Sequence, residues 1–179
     1  LKSSMQTFLN AMTFPDKTMY PVASTNVADL ENPMDVYLDA VLDPNIYRRP
    51  RIFEQEGWHY ELESPDAPLT INGVVFNEMK GALSDPEDVL FMELKRQLFP
   101  DTCYRHESGG NPEAIPDLCY EEFVDAHRRH YRLDNSHTVL YGDIDIDREL
   151  AFLDERFSAA EVRGEEGPNE LAMQGPVSP

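Results

Sequence analysis

Apolar residues recur at helical spacing in several stretches of the chain, and this period predicts amphipathic helices. We expect helices to begin at Asn32-Pro33 and at Ser84-Asp85-Pro86-Glu87, because both carry cap and first-turn signals. Asp43-Pro44 is expected to end the first of these two helices. A short apolar run predicts a helix that Gly81 weakens or ends. Helices are predicted at residues 5–9, 34–42, 72–80, 87–98, 120–131 and 147–157. The first of these continues an apolar helical face near the N-terminus.

Strand signals are fewer and shorter. Thr, Tyr and Val in residues 10–13 and 18–23, on either side of a Phe14-Pro15-Asp16 turn, predict two adjacent strands. Further strands are expected at 58–62 and 138–141, the latter buried, and residues 100–117 form a long loop. Helices interspersed with a few strands predict an α+β fold, a two-layer domain with helices packed on one mainly antiparallel sheet.

The chain divides by composition near its C-terminal end. Residues 1–157 carry the predicted helices and strands, and with 41% apolar residues over 179 positions the chain can form one domain with a core. From Ser158 to Pro179, Gly, Glu, Pro and Ser dominate, which predicts a flexible interdomain linker.

Net charge limits the partners. The formal charge is −19, with 34 acidic and 15 basic residues. Nucleic acid and anionic membranes attract clustered Lys and Arg, so neither is expected as a partner, whereas a basic peptide would be attracted. An acidic surface that serves only solubility is the alternative.

The two cysteines, Cys103 and Cys119, form no C-x-x-C motif and predict no disulfide framework. Reduced thiols are typical of cytosolic proteins, so the sequence predicts a cytoplasmic location. No signal peptide is visible, and no apolar run approaches the roughly 20 residues that span a bilayer.

One acidic residue stands out by its setting. Glu78 lies within an apolar segment of the predicted helix 72–80, where Val74, Val75, Phe76 and Met79 would line a buried face. A carboxylate drawn into such a face needs a partner, a hydrogen bond or a metal. The alternative is an ordinary helix residue that is ion-paired or faces solvent.

The segment Asn72-Gly73-Val74-Val75-Phe76-Asn77-Glu78-Met79-Lys80-Gly81 resembles the one that carries the distal zinc ligand in pitrilysin/insulysin-type peptidases, the enzymes with an inverted H-x-x-E-H motif. The resemblance is strongest to the presequence-protease-like branch. It extends in order over residues 1–157, and its supporting segments are 4–13, 16–24, 53–61, 108–112 and 137–143.

The resemblance implies roles for three residues. Glu78 would be the third protein ligand of a catalytic zinc. Asn10 and Ala11 would belong to an edge strand near the metal, with which a peptide substrate pairs as an added strand. For Asn10 and Ala11 the alternative is an ordinary structural strand. The implied activity is zinc-dependent hydrolysis of peptide bonds in unfolded peptides.

The chain departs from the family pattern in one respect. It contains no H-x-x-E-H among its five histidines, and its first residues read as mid-helix without an initiator Met. The expectation is therefore a fragment of a longer peptidase, incomplete at its N-terminus, that is inactive alone and holds no zinc tightly. Its partners would be the remaining domains, peptide substrates and, weakly, a second copy. The alternative is a non-catalytic, peptidase-like structural or peptide-binding subunit.

Two other motifs are interpreted as structural. His127 and His130 lie three apart on a predicted helix, but no spaced acid or cysteine completes a metal set, so this segment is expected to pack or face solvent. Ser108-Gly109-Gly110 lacks the lysine and the glycine spacing of a phosphate loop, and its glycines are expected to permit backbone turns.

Overall fold

The computed structural model describes residues 6–160 and 171–176. It confirms the α+β class: the described residues contain six α-helices and three small two-stranded ladders. In chain order the elements are β1 Gln6–Leu9, β2 Met12–Thr13, β3 Thr18–Met19, β4 Val22–Ser24, α1 Val27–Leu42, α2 Arg51–Glu56, β5 His59–Glu61, β6 Thr70–Asn72, α3 Val74–Ala82, α4 Pro86–Leu98, α5 Tyr120–His130 and α6 Ile146–Ala159.

The chain forms two compact units. The described part of the first comprises residues 6–12, 18–45 and 124–160. In it β1 pairs antiparallel with β4, with Leu9 opposite Val22, and α1 packs on β4 and α6. Met34 and Leu153 are buried in this unit. An ion pair of 2.7 Å between Arg148 and Glu31 also joins α6 to α1.

The second unit comprises residues 13–17, 46–123 and 171–176 of the described chain. β5 and β6 form an antiparallel hairpin, and α2 packs near α3. Its core contains Phe76, Met79 and Ile115, with Trp58, Ile71 and Val75 packed against them. An aromatic contact also joins α2 to α5, because the ring centroids of Phe53 and Phe123 lie 5.4 Å apart.

The first long helix begins earlier than predicted. Asn26, not Asn32, is the cap: its side chain accepts a hydrogen bond of 3.0 Å from the Ala28 amide. Pro33 therefore lies inside α1, where it lacks the N–H that would bond the Asp29 carbonyl. Pro33 is fully buried, so packing offsets the lost hydrogen bond. The predicted end at Asp43-Pro44 is confirmed.

Two predicted elements are wrong. Residues 6–9 form strand β1 rather than a helix, because they pair with β4 about 16 residues further on; residues 1–5 lie outside the described chain. Residues 138–141 are neither buried nor a strand: Val139 is 85% and Tyr141 99% exposed. Their β-forming composition finds no partner strand within the described chain, so it produces no ladder.

The start of α4 is confirmed. Asp85 caps the helix by accepting a hydrogen bond of 2.9 Å from the Glu87 amide, and Pro86 occupies the first turn. At the C-terminal end, α6 extends through Ala159, two residues into the predicted linker. Leu171 and Met173 are exposed. The rest of the linker prediction, residues 161–170 and 177–179, lies outside the described chain.

Candidate functional site

The helix that carries Glu78 starts where two backbone segments approach closely. A Cβ at Gly73 would overlap the carbonyl oxygen of Gly57 and lie 2.7 Å from the Trp58 Cα. That same Gly57 oxygen accepts a hydrogen bond of 3.4 Å from the Phe76 amide in the first turn of α3. Only glycine fits here, and the close approach supplies an acceptor for an otherwise unpaired helix N–H.

Side chains also hold this turn. Asn72 accepts a hydrogen bond of 2.8 Å from the Gly73 amide and another from the side-chain amide of Asn77. Its own amide group donates to Glu61 at 2.7 Å, which ties the turn to the β5–β6 hairpin. The resulting Glu61–Asn72–Asn77 chain fixes the residue directly before Glu78.

The buried face of α3 does not include Glu78. Phe76 and Met79 point into the core, while Glu78 is exposed. Val74 is 52% exposed, so the buried face is narrower than the sequence indicated. The idea that an apolar environment forces a partner onto this carboxylate is therefore wrong, because the helix turns Glu78 away from that environment.

The opposite side of α3 is packed against a loop. Trp58 donates its indole N–H to the Leu118 carbonyl at 2.9 Å. A Cβ at Gly109 would overlap the Met79 sulfur, and Gly110 has a positive φ of 95°. The glycines of Ser108-Gly109-Gly110 thus permit a turn and a close approach to α3, as the structural interpretation expected.

No described residue forms a hydrogen bond or an ion pair with the Glu78 carboxylate. A carboxylate oxygen suits zinc, but a catalytic zinc site takes three protein ligands. Within the described ranges, no three His, Cys, Asp or Glu side chains cluster closely enough to hold a metal ion. The described part of the chain therefore offers one suitable ligand and not a complete zinc site.

Asn10 and Ala11 belong to the first unit, whereas Glu78 belongs to the second. They lie between β1 and β2 and are exposed. The Asn10 amide donates to the Pro21 carbonyl at 3.2 Å, and the Asn10 carbonyl accepts from the Tyr37 hydroxyl at 3.3 Å. The Ala11 amide donates to the Asn10 side chain at 2.9 Å. Three of the four main-chain groups thus already have partners within the chain.

A cluster of tyrosines supports this segment, and sequence reasoning missed it. The Tyr20 and Tyr131 hydroxyls lie 2.6 Å apart, and the ring of Tyr37 meets that of Tyr20 edge-on. Burial, together with the hydrogen bond to Tyr131, raises the pKa of Tyr20 far above its usual range. Tyr37 is 27 positions from Asn10, so no local motif could have joined them.

His127 has a packing role. Its ring stacks on Tyr131 at a centroid distance of 4.2 Å, and its Nε2 lies 2.8 Å from the Val41 carbonyl oxygen. These contacts support the structural interpretation of the His127–His130 segment.

No protein-family model matches the chain. Several individual proteins are nevertheless similar to the chain in sequence. Protein HypA of Clostridium perfringens is 55% identical over 157 residues, which are 88% of this chain and 16% of that protein. Presequence protease 1, chloroplastic/mitochondrial, of Arabidopsis thaliana is 44% identical over 174 residues, 97% of this chain and 16% of that protein.

The mitochondrial presequence protease of Schizosaccharomyces pombe is 43% identical over 172 residues, 94% of this chain and 17% of that protein. The chain is a relative of the presequence proteases. The resemblance to pitrilysin/insulysin-type peptidases is thereby confirmed. The chain spans about one sixth of the length of the relatives it matches.

The cytoplasmic location expected from the sequence is wrong: the names of these presequence proteases place them in mitochondria or chloroplasts. Both cysteines are free. Free thiols are typical of every compartment that keeps thiols reduced, so they did not identify the location. None of the helices in the described ranges combines the length and apolar character needed to cross a membrane.

Proposed function

We propose that the chain contributes Glu78 as one carboxylate ligand of a zinc peptidase site whose other ligands come from outside the described residues. The observation that carries this proposal is an exposed carboxylate that no described residue binds, on a helix whose opposite face is fixed in the core. Similarity to presequence proteases over nearly the whole chain supports it. Bound zinc would polarise a peptide carbonyl and activate water.

The role of the chain itself is to position that ligand. The Gly57–Gly73 approach and the Asn72 hydrogen bonds fix the first turn of α3, and the buried Phe76 and Met79 fix its rotation. A ligand carried on a helix that cannot rotate needs little reorganisation when it binds a metal.

We further propose that Asn10 and Ala11 bind the main chain of a peptide. The Ala11 carbonyl is the one main-chain group of this pair to which no described residue donates. A peptide that pairs here as a strand would also need the Ala11 N–H, which the Asn10 side chain now holds. Exchange of that single hydrogen bond would open the segment to a substrate of any sequence.

A non-catalytic, peptide-binding role is the second candidate. It rests on the Asn10–Ala11 segment alone, where no described residue donates a hydrogen bond to the Ala11 carbonyl, and it needs no metal. In that case Asn10 and Ala11 would still bind peptides, while Glu78 would be an ordinary surface residue.

Zinc titration of the chain tests the ligand count. One carboxylate should give no zinc binding tighter than about millimolar and no cleavage of a fluorogenic peptide, because a catalytic site takes three protein ligands. Isothermal titration calorimetry and a peptidase assay measure both. Sub-micromolar zinc binding, or metal-dependent turnover by the chain alone, would show that the chain holds a complete site.

A further inference from the structure

Three arginines lie together at the start of α2, in the second unit. Arg48, Arg49 and Arg51 line a concave surface of about 490 Å³ with Pro50, Ile52 and Gln55. All three arginines are exposed. In a chain with 34 acidic and only 15 basic residues, three cationic side chains within four positions are a marked local reversal of charge.

Two of these arginines form no ion pair with the part of the chain that the structure describes, unlike exposed arginines elsewhere. Arg96 lies 2.8 Å from Glu93 and Arg129 lies 2.7 Å from Asp125. Among the described residues, by contrast, no carboxylate lies within ion-pair distance of Arg49 or Arg51, although Glu54 follows one turn later. Their guanidinium groups are therefore available to a ligand.

The backbone under the arginines is held in place. The Ile52 amide donates to the Arg49 carbonyl at 3.0 Å, and the Phe53 amide donates to the Pro50 carbonyl at 2.9 Å. Phe53 is buried and packs on Phe123. The three side chains thus start from a fixed turn, so binding a ligand would require ordering of the side chains only.

Guanidinium groups bind carboxylate and phosphate oxygens through paired N–H donors. Arg49 and Arg51, which lie two positions apart on this concave surface, match a compact, multiply charged oxyanion better than a single carboxylate. We propose that this surface binds a compound with a di- or triphosphate group, with Arg49 and Arg51 as the principal contacts and Arg48 at the rim.

Titration of the 15N-labelled chain with inorganic pyrophosphate tests the proposal. Saturable amide shifts are expected at residues 48–55, and Arg49→Gln/Arg51→Gln should weaken binding at least about tenfold, since each variant side chain loses charge-assisted hydrogen bonds to the phosphate oxygens. The control Arg128→Gln/Arg129→Gln on α5 removes the same charge and should change the affinity less than about twofold.

Equal losses in both double variants would mean that only net charge matters, and would overturn the proposal. So would shifts that map away from residues 48–55, a result that does not depend on any variant. A nucleoside diphosphate that binds no better than pyrophosphate would assign recognition to the phosphates alone, as proposed. Glu78→Gln should bind pyrophosphate as the parent chain does, so the outcome is independent of the zinc proposal.

Discussion

The α3 helix and the Asn10–Ala11 segment are both proposed to contribute to a peptidase site. They differ in whether the groups that would bind the ligand already have partners within the chain. α3 is fixed by its buried face and its first turn, and it presents a carboxylate that no described residue binds. In the Asn10–Ala11 segment, three main-chain groups are already bound by Pro21, Tyr37 and the Asn10 side chain.

If both proposals hold, the two surfaces are prepared for their ligands in different ways. A metal ligand gains from being held rigid and left without a partner, because its free charge is what the metal binds. A main-chain edge left unpaired would instead recruit other chains. A hydrogen bond from the Ala11 N–H to the Asn10 side chain would protect this segment until a peptide takes its place.

The largest effect should come from the close approach that fixes α3. Gly73→Ala would place a Cβ against the Gly57 backbone, which cannot yield as a side chain can, so unfolding free energy should fall by about 3 kcal/mol. Gly81→Ala is the matched control on the same helix: nothing lies near its Cβ, and it should stabilise by up to about 1 kcal/mol. Urea unfolding measures both, and equal effects would refute the rigid start of α3.

An intermediate effect is expected in the tyrosine cluster that supports Asn10. Tyr20→Phe removes the hydrogen bond to Tyr131 and should cost about 1 kcal/mol at neutral pH. Because the pKa of Tyr20 is raised on folding, its contribution is complete below the unfolded pKa of about 10 and is lost as the pH rises above it.

The variant should therefore lose less stability than the parent between neutral pH and alkaline pH. Thermal unfolding at a series of pH values records the difference. Tyr60→Phe, at an exposed ring of the second unit, is the control and should keep the alkaline fall of the parent. An unchanged alkaline fall in Tyr20→Phe would show that Tyr20 is not the group responsible.

The smallest effect is expected in the Asn10–Ala11 segment, where the Asn10 side chain accepts a hydrogen bond from the Ala11 amide. Asn10→Ala removes the acceptor of the Ala11 N–H, so that amide should exchange with solvent about three- to tenfold faster, in keeping with about 1 kcal/mol for a hydrogen bond. Asn111→Ala removes a similar local bond to the Glu113 amide in the other unit and should leave Ala11 unaffected. Unchanged exchange in Asn10→Ala would mean that the side chain does not close this segment.

Local signals in the sequence predicted much of this fold. The Asp85-Pro86 cap, the Trp58 strand and helices α3, α5 and α6 follow from residues within one or two turns of each other. The failures depend on distant partners: residues 6–9 become a strand only by pairing with β4, and residues 138–141 have no such partner. Asn32-Pro33 resembled a helix start, but Asn26 supplied an earlier cap.

The candidate site shows the same division. Resemblance singled out Glu78, Asn10 and Ala11, but neither it nor the apolar pattern showed that Glu78 faces solvent. Tyr37 and Asn72 were missed because their partners are brought to them by tertiary and hairpin contacts.

Replacing the aligned segment of Arabidopsis thaliana presequence protease 1 with this chain tests the central claim, that Glu78 is a metal ligand. The chimera should bind about one equivalent of zinc and cleave peptides, as a site with three protein ligands allows. Glu78→Gln in the chimera should lose both, while the control Glu87→Gln, exposed at the start of α4, should keep both. Zinc content by elemental analysis is the decisive measurement: full zinc occupancy in Glu78→Gln would contradict the ligand role.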